Sequence, residues 1–427
     1  MAPAPATRPA ADETLPPNVA LATFDSLWSI VRRTYVDTAF VSSRWMSVRD
    51  SLRPRATTIS TRRELDDLLS ETLHRIPDSH FYIIPAGVAS ADTTDKPADG
   101  RGTTGLSVRV IGENAVAWRV EPGSPASAAG IRPGQTIRKV GEKDARAELR
   151  RVQAMPPEAR SRGMSEVLHA LNGGLSPGAG DTVTVQVAAG RSVSTRRLVA
   201  VPAKGTISQY GNLPPIAGIV RSSRMPAPGG NGCVGMVGFN VWLPALVAEL
   251  ERAMDSVRSC KGVIVDLRGN PGGVGAMVMG FGGYFVDSVQ SLGTMRMRQL
   301  SLNFVINPRH ARDDGTSAAP FTGPVAILVD PMTASTSEIF ATGMQRIGRA
   351  RVFGERSAGA ALPALMDRLP SGDVFVHAVA DFTDPEGKRI EGTGVVPDEV
   401  VPLSAEVLAE GRDGALEAAM AWIATQR

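Results

Sequence analysis

The chain has 427 residues, 43% of them hydrophobic and 21% charged, an ordinary globular composition with room for two or three domains. Its 46 basic and 43 acidic residues leave a net charge of +3 and the arginines are scattered, so nothing points to nucleic acid as a partner. No apolar run reaches the ~18 residues of a membrane-spanning helix.

In chain order, residues 1–16 read as a flexible leader rich in Ala and Pro, without the apolar core of a signal peptide. A mature N-terminus behind an added start Met would look the same. Residues 17–88 read as a helical domain. Phe24, Leu27, Trp28, Ile30, Val31 and Tyr35 recur at helical spacing, and Trp45, Val48 and Leu52 make a second face. Thr61 and Glu64 form a capping box before a third helix through Leu65, Leu68, Leu69 and Leu73. Residues 89–102 are a polar linker.

Residues 103–204 read as a small β-rich domain, with strands over 105–110, 115–120, 136–140 and 182–187 and a helix over 164–171. Residues 205–231, rich in Pro and Gly, read as a second linker. From 232 to 427 apolar strands (234–239, 263–267, 325–329, 350–353, 374–380) mix with helical patterns (245–258, 275–281, 338–347, 403–425), which predicts a largely parallel, twisted sheet. The fold class is multidomain α/β. Cys233 and Cys260, the only cysteines, each precede one of these strands. They form a disulfide if the strands are neighbours, or two buried thiols.

Ser335 stands where the apolar run 325–329 passes through a turn of small residues, Pro331-Met-Thr-Ala-Ser-Thr-Ser337, into a helix. A serine there is exposed above a sheet beside free helix N–H groups, which suits a nucleophile; it also suits a helix cap. A second strand runs into the glycine turn Asp266-Leu-Arg-Gly-Asn-Pro-Gly-Gly273, whose N–H groups can face an anion or merely make a βα loop. No Gly-Lys-Ser/Thr or Gly-x-Gly-x-x-Gly accompanies it, so a phosphate loop is unsupported. Of the histidines at 74, 80, 169, 310 and 377, His80 lies at a domain edge in Asp78-Ser79-His80, as a base at a cleft mouth or an ordinary surface histidine. No clustered Cys/His/Asp spacing calls for a metal, and no cofactor is implied.

Together these pieces resemble the S41 family of serine peptidases, which includes the C-terminal processing (tail-specific) proteases and the tricorn core protease. The likeness covers nearly the whole chain in order. Its parts are Asp78-Ser79-His80, the PDZ-like Gly123-Ser-Pro-Ala-Ser-Ala-Ala-Gly-Ile131 with Pro133-Gly134, the 266–273 turn, Thr333-Ala-Ser-Thr-Ser-Glu338, Gly354-Glu-Arg-Ser-Ala-Gly359 and Glu391-Gly-Thr-Gly-Val-Val-Pro-Asp398. The resemblance implies a C-terminal catalytic domain of the crotonase/ClpP-like kind. It implies Ser335 as nucleophile and the N–H groups of Gly272 and Thr336 as oxyanion hole, with the choice of glycine in the turn left open. The processing proteases use a lysine where this chain has Ala360. The tricorn-like branch uses a histidine assisted by a serine and a distant glutamate, and His80, Ser79 and Glu391 fall at those positions. A PDZ domain would take a peptide C-terminus by strand addition beside Thr104, Gly105, Leu106 and Ser107. The implied partner is a peptide or protein substrate, and a homo-oligomer and a periplasmic or secreted location are compatible with it. The alternative is a non-catalytic ligand- or peptide-binding protein on the same fold.

Overall fold

The computed structural model describes residues 13–86, 102–190, 192–211, 215–312 and 314–426. The first twelve residues of the expected leader and the expected linker up to residue 101 lie outside them.

The helices Val19–Thr34, Met46–Ala56 and Arg62–Leu73 form where the spacing predicts, and the Thr61–Glu64 capping box is made. Phe24, Leu27, Val31, Trp45, Leu65 and Leu68 pack in one cluster. The two tryptophans are tied together, since each indole N–H (Trp28, Trp45) donates to the other's carbonyl at 3.0 Å. This core is not closed on itself. Leu362, Leu369, Phe375 and Ala378 from the C-terminal third belong to the same cluster.

The connection is made by a strand not foreseen from the sequence. Tyr82–Ile84 pairs antiparallel with Val374–Ala378, with Tyr82 opposite Val376 and Ile84 opposite Val374. The run at 374–380 is therefore not in the main parallel sheet, as expected, but is the centre of a three-stranded sheet completed by Ala364–Arg368. A fully buried apolar run reads the same in either setting, and its partner lies near the other end of the chain. The consequence is functional: this strand carries His80 to the C-terminal part of the chain.

The small β-rich domain has the sheet order Leu106–Ile111, Asn114–Val120, Thr136–Val140, Thr182–Ala189, Ser192–Val199. The helices Ala145–Gln153 and Pro157–Gly174 cover it. The first of these helices and the last of these strands were not predicted.

The main sheet has six strands in the order Val220–Pro226, Cys233–Phe239, Gly262–Asp266, Val325–Val329, Ala350–Gly354, Glu399–Val400. All neighbours are parallel except the first pair. Its central strands are buried along their whole length, as parallel strands covered on both faces must be. Alternate residues serve opposite cores. Val263, Val265, Ile327 and Val329 meet the helices Val247–Val257, Met277–Gly282 and Thr336–Arg346. Ile264, Ala326 and Leu328 meet Ala415, Ala419 and Ile423 of the C-terminal helix Gly414–Thr425.

Cys233 and Cys260 are joined as a disulfide across 27 residues. The segment 205–231, read as a linker, holds the edge strand Val220–Pro226 and a short pair, Thr206–Ser208 with Ile216–Gly218. A hairpin, Gln290–Arg296 with Ser301–Ile306, was missed because its exposed tip, Met297-Arg298-Gln299-Leu300, carries no Gly, Pro, Asn or Asp turn signal. The helix expected over 403–425 is two, Ala405–Ala409 and Gly414–Thr425, separated at Gly411 with φ 74°.

Candidate active site

The strand Val325–Val329 ends at Asp330, whose carboxylate organises the next turn. Its Oδ1 accepts the amides of Gly269 (2.9 Å) and Met332 (3.0 Å), and its Oδ2 accepts Nε of Arg109 from the small domain at 2.6 Å. The Thr333 hydroxyl donates to the Leu267 carbonyl at 2.9 Å, tying the turn to the glycine loop. The turn delivers Ser335 at φ 54°, ψ −123°, immediately before the helix Thr336–Arg346. Among the described residues only three non-glycines have positive φ: Asn18, His80 and Ser335. Two are residues that the sequence singled out for chemistry. Such backbone costs about 1–3 kcal/mol and persists only where the surroundings enforce it.

For Ser335 the enforcing group is Glu338, which lies within a quoted sequence motif but had no role assigned from the sequence. It is wholly buried. Its carboxylate accepts the Ser335 amide (3.0 Å), the Gly359 amide (2.7 Å), the Ala360 amide (2.9 Å) and the Ser357 hydroxyl (2.5 Å). Burial pushes this carboxyl up to about 7, and the four donors pull the other way. The helix-cap reading of this stretch was thus correct in part. Ser335 is the N-cap residue, and Glu338 at the third helical position accepts its amide in a capping box. The Ser335 amide also donates to the Ala360 carbonyl at 2.7 Å, so Ala360 meets Ser335 through its backbone.

The glycine turn lies against Ser335. A Cβ added to Gly272 (φ 101°) would stand 2.6 Å from the Ser335 Cβ and 3.0 Å from the Thr336 nitrogen, so only glycine fits. The Thr336 hydroxyl donates to the Gly273 carbonyl at 2.8 Å and fixes the helix start to the turn. The Thr336 amide, at the first helical position, has no acceptor among the described residues. The Gly272 amide is committed to Asn270 Oδ1 at 3.0 Å, whereas the Gly273 amide has no acceptor among them. Of the three glycines in the turn, among which the resemblance pointed to Gly272, Gly269 donates to Asp330 and Gly272 to Asn270, so Gly273 is the one whose N–H has no acceptor among the described residues.

Glu391, Ser79 and His80 come together from opposite ends of the chain. Glu391 accepts the Ser79 amide at 2.7 Å and the Ser79 hydroxyl at 3.0 Å, and the same hydroxyl meets His80 Nδ1 at 2.8 Å. Because the Ser79 proton goes to the carboxylate, its oxygen accepts from His80, which assigns the proton to Nδ1 and leaves Nε2 as the basic nitrogen. The Ala361 amide completes the Glu391 site at 2.8 Å. Residues 360–361 thus bridge the two halves: Ala360 holds Ser335 and Ala361 holds Glu391. No hydrogen bond joins His80 to Ser335 in this structure. Burial pulls the His80 imidazole down to about 4 and raises the Glu391 carboxyl, the latter partly offset by its donors from Ser79 and Ala361.

The stretch 104–107 is engaged from within. The Thr104 amide and hydroxyl both donate to the Leu175 carbonyl (3.1 and 2.8 Å), and the Gly105 amide donates to the Thr103 hydroxyl (3.0 Å). Leu106 and Ser107 pair with Val120 and Arg119. On the outer edge of that strand, the Asn172 amide group matches both the N–H (2.9 Å) and the carbonyl (3.1 Å) of Val108. Among the described residues no cluster of three or more His, Cys, Asp or Glu is placed to hold a metal. No helix among them is long and apolar enough to cross a membrane.

The sequence profile of peptidase family S41 matches residues 232–401, and that of the tricorn protease C1 domain matches residues 20–74. A carboxyl-terminal-processing protease of Picosynechococcus sp. is 26% identical over 381 residues, covering 88% of this chain and 81% of the relative. A chloroplastic C-terminal processing peptidase of Tetradesmus obliquus is 26% identical over 411 residues, covering 92% and 79%. Among solved structures, the photosystem II D1 C-terminal processing protease superposes with a TM-score of 0.59 at 21% identity, covering 95% of this chain and 97% of that one.

Proposed function

Given that the chain belongs to peptidase family S41 and is a serine-type peptidase, we propose that it cleaves polypeptides through an acyl-enzyme on Ser335, with His80 as general base. The observation that carries this reading is the hydrogen-bonded line Glu391–Ser79–His80, which leaves Nε2 as the proton acceptor. The Ser335 oxygen attacks the peptide carbonyl carbon while its proton passes to Nε2. The Gly273 and Thr336 amides hold the oxyanion that forms. Glu391, acting through Ser79, stabilises the imidazolium. As the intermediate collapses, the C–N bond breaks and Nε2 returns the proton to the leaving amine; water then repeats the sequence on the ester. His80 and Ser335 close to hydrogen-bond reach when substrate is bound, a tightening common at catalytic sites.

In this reading Ala360 replaces the lysine of the processing branch, and histidine supplies the base instead. The small domain is a PDZ-like module beside a crotonase/ClpP-like catalytic domain. The relatives' names and the module's edge strand support recognition of a substrate through its C-terminus. Capture at Leu106–Ile111 requires Asn172 to swing away from Val108. The disulfide supports a periplasmic or secreted location.

The test is hydrolysis of unfolded polypeptides with free or amidated C-termini by wild type, Ser335→Ala and His80→Ala. Cleavage by the wild type alone, faster on the free C-terminus, is expected. Equal cleavage by His80→Ala would overturn the mechanism, and equal rates on both substrates would overturn C-terminal recognition.

A further inference from the structure

Asp78 and Arg389 stand two residues before His80 and Glu391 respectively, and they are paired. The Asp78 carboxylate meets the Arg389 guanidinium at two points, Oδ1 to Nη1 at 3.2 Å and Oδ2 to Nη2 at 2.7 Å. The segments 78–80 and 389–391 are thus joined twice, by this ion pair and by the Ser79–Glu391 hydrogen bonds. Resting on the catalytic reading above, we infer that Asp78 and Arg389 are positioning residues: their ion pair sets the His80 segment against the Glu391 segment and thereby fixes where the imidazole stands.

Three observations support this. First, His80 has φ 60°, a conformation that needs external enforcement. Second, every part of the molecule contributes to holding Asp78. Tyr35 of the helical domain donates its hydroxyl to Oδ2 at 2.7 Å, and Arg162 of the small domain donates to the Asp78 carbonyl at 2.5 Å and the Ile76 carbonyl at 3.3 Å. Arg389 is itself anchored by Nε to Asp381 at 2.7 Å. Bidentate Arg–carboxylate contacts of this kind fix geometry as well as charge. Third, the pair balances charge at the relay. The groups that meet it are Tyr35, Arg162, Asp381 and Glu391. The Asp78 carboxylate raises the Glu391 carboxyl, and Arg389 is the cation paired with that carboxylate.

The experiment compares kcat, KM and the pH profile of kcat/KM on one unfolded polypeptide for wild type, Arg389→Met, Arg389→Lys, Asp78→Asn and the double variant Asp78→Asn/Arg389→Met. In Arg389→Met, kcat should fall at least about tenfold with KM nearly unchanged, the effect of a catalytic group displaced by a fraction of an ångström. Its acid limb should move to higher pH, because an uncompensated Asp78 carboxylate favours both the imidazolium and the protonated Glu391. The double variant should return the limb toward wild type while kcat stays low, and Arg389→Lys should recover part of kcat. A purely structural role lowers the melting temperature without moving the limb. If Arg389→Met does not fold, Asp78→Asn, which keeps the shape, carries the test by its loss of kcat and its limb shift to lower pH. An active wild type whose variants keep kcat within about threefold and an unmoved limb overturns this inference alone. A wild type without activity overturns the catalytic reading with it.

Discussion

Replacing Glu391 with glutamine removes the relay's charge while keeping its shape. The carboxylate reaches His80 through two contacts, 3.0 Å to the Ser79 hydroxyl and 2.8 Å onward to Nδ1. A unit charge about 6 Å from the ring, at an effective dielectric of about 20, is worth about 3 kcal/mol to the imidazolium. That stabilisation exists only while His80 carries the proton, so its loss falls on kcat, by about 100-fold, with KM little changed. The introduced carboxamide cannot accept from all three donors that Glu391 serves. Its NH2 group must face either the Ser79 amide or the pair formed by the Ser79 hydroxyl and the Ala361 amide. One unpaired buried donor costs about 1–3 kcal/mol. The variant should therefore melt lower as well as turn over more slowly. Steady-state kinetics and a thermal melt read both. A Glu391→Gln enzyme with kcat within about threefold of wild type would refute the relay.

Ser335→Gly should abolish hydrolysis yet melt at a higher temperature than wild type, because glycine adopts φ 54° without the strain of about 1–3 kcal/mol; a lower melting temperature would count against strain at Ser335. The Cys233→Ser/Cys260→Ser variant should lose about 3–4 kcal/mol of stability in denaturant titration, the chain-entropy value for a 27-residue separation, with kcat at 25 °C unchanged. His377 is fully buried between the Thr34 hydroxyl (3.2 Å) and Asp367 (2.9 Å), and burial lowers its pKa. The unfolded chain therefore binds the extra proton first. The stability from neutral His377 is complete above about pH 6.5, its unfolded value, and declines as pH falls below it. Melting temperatures from about pH 7.5 to 5 should show this decline, and His377→Gln should flatten it.

Much of the fold was legible because strand and helix periodicities are local. The runs at 234–239, 263–267, 325–329 and 350–353 became neighbouring parallel strands in that set. What was missed depends on distant partners. Nothing near Val374 says that its strand neighbour is Ile84, and nothing near Asp78 says that Arg389 will face it. The edge strand Val220–Pro226 hid in a Pro- and Gly-rich stretch because its residues are mostly exposed and lack an apolar signature. The site was legible as residue types in order, but its working parts were not. Glu338 reads as the first residue of a helix, and only the structure gathers Ser357, Gly359 and Ala360 around it. Likewise the choice between Gly272 and Gly273 rests on the Asn270 side chain, which takes the first amide and leaves the second.

The central claim is a Ser335 nucleophile driven by histidine from the far end of the chain rather than by a neighbouring lysine. Reaction with a fluorophosphonate, followed by peptide mapping in a mass spectrometer, tests it most directly. A single adduct on Ser335 in the wild type, absent in Ser335→Ala and His80→Ala and slowed in Glu391→Gln, is the predicted result. An unmodified wild type, or a Ser335 adduct that forms as fast in His80→Ala, would contradict it.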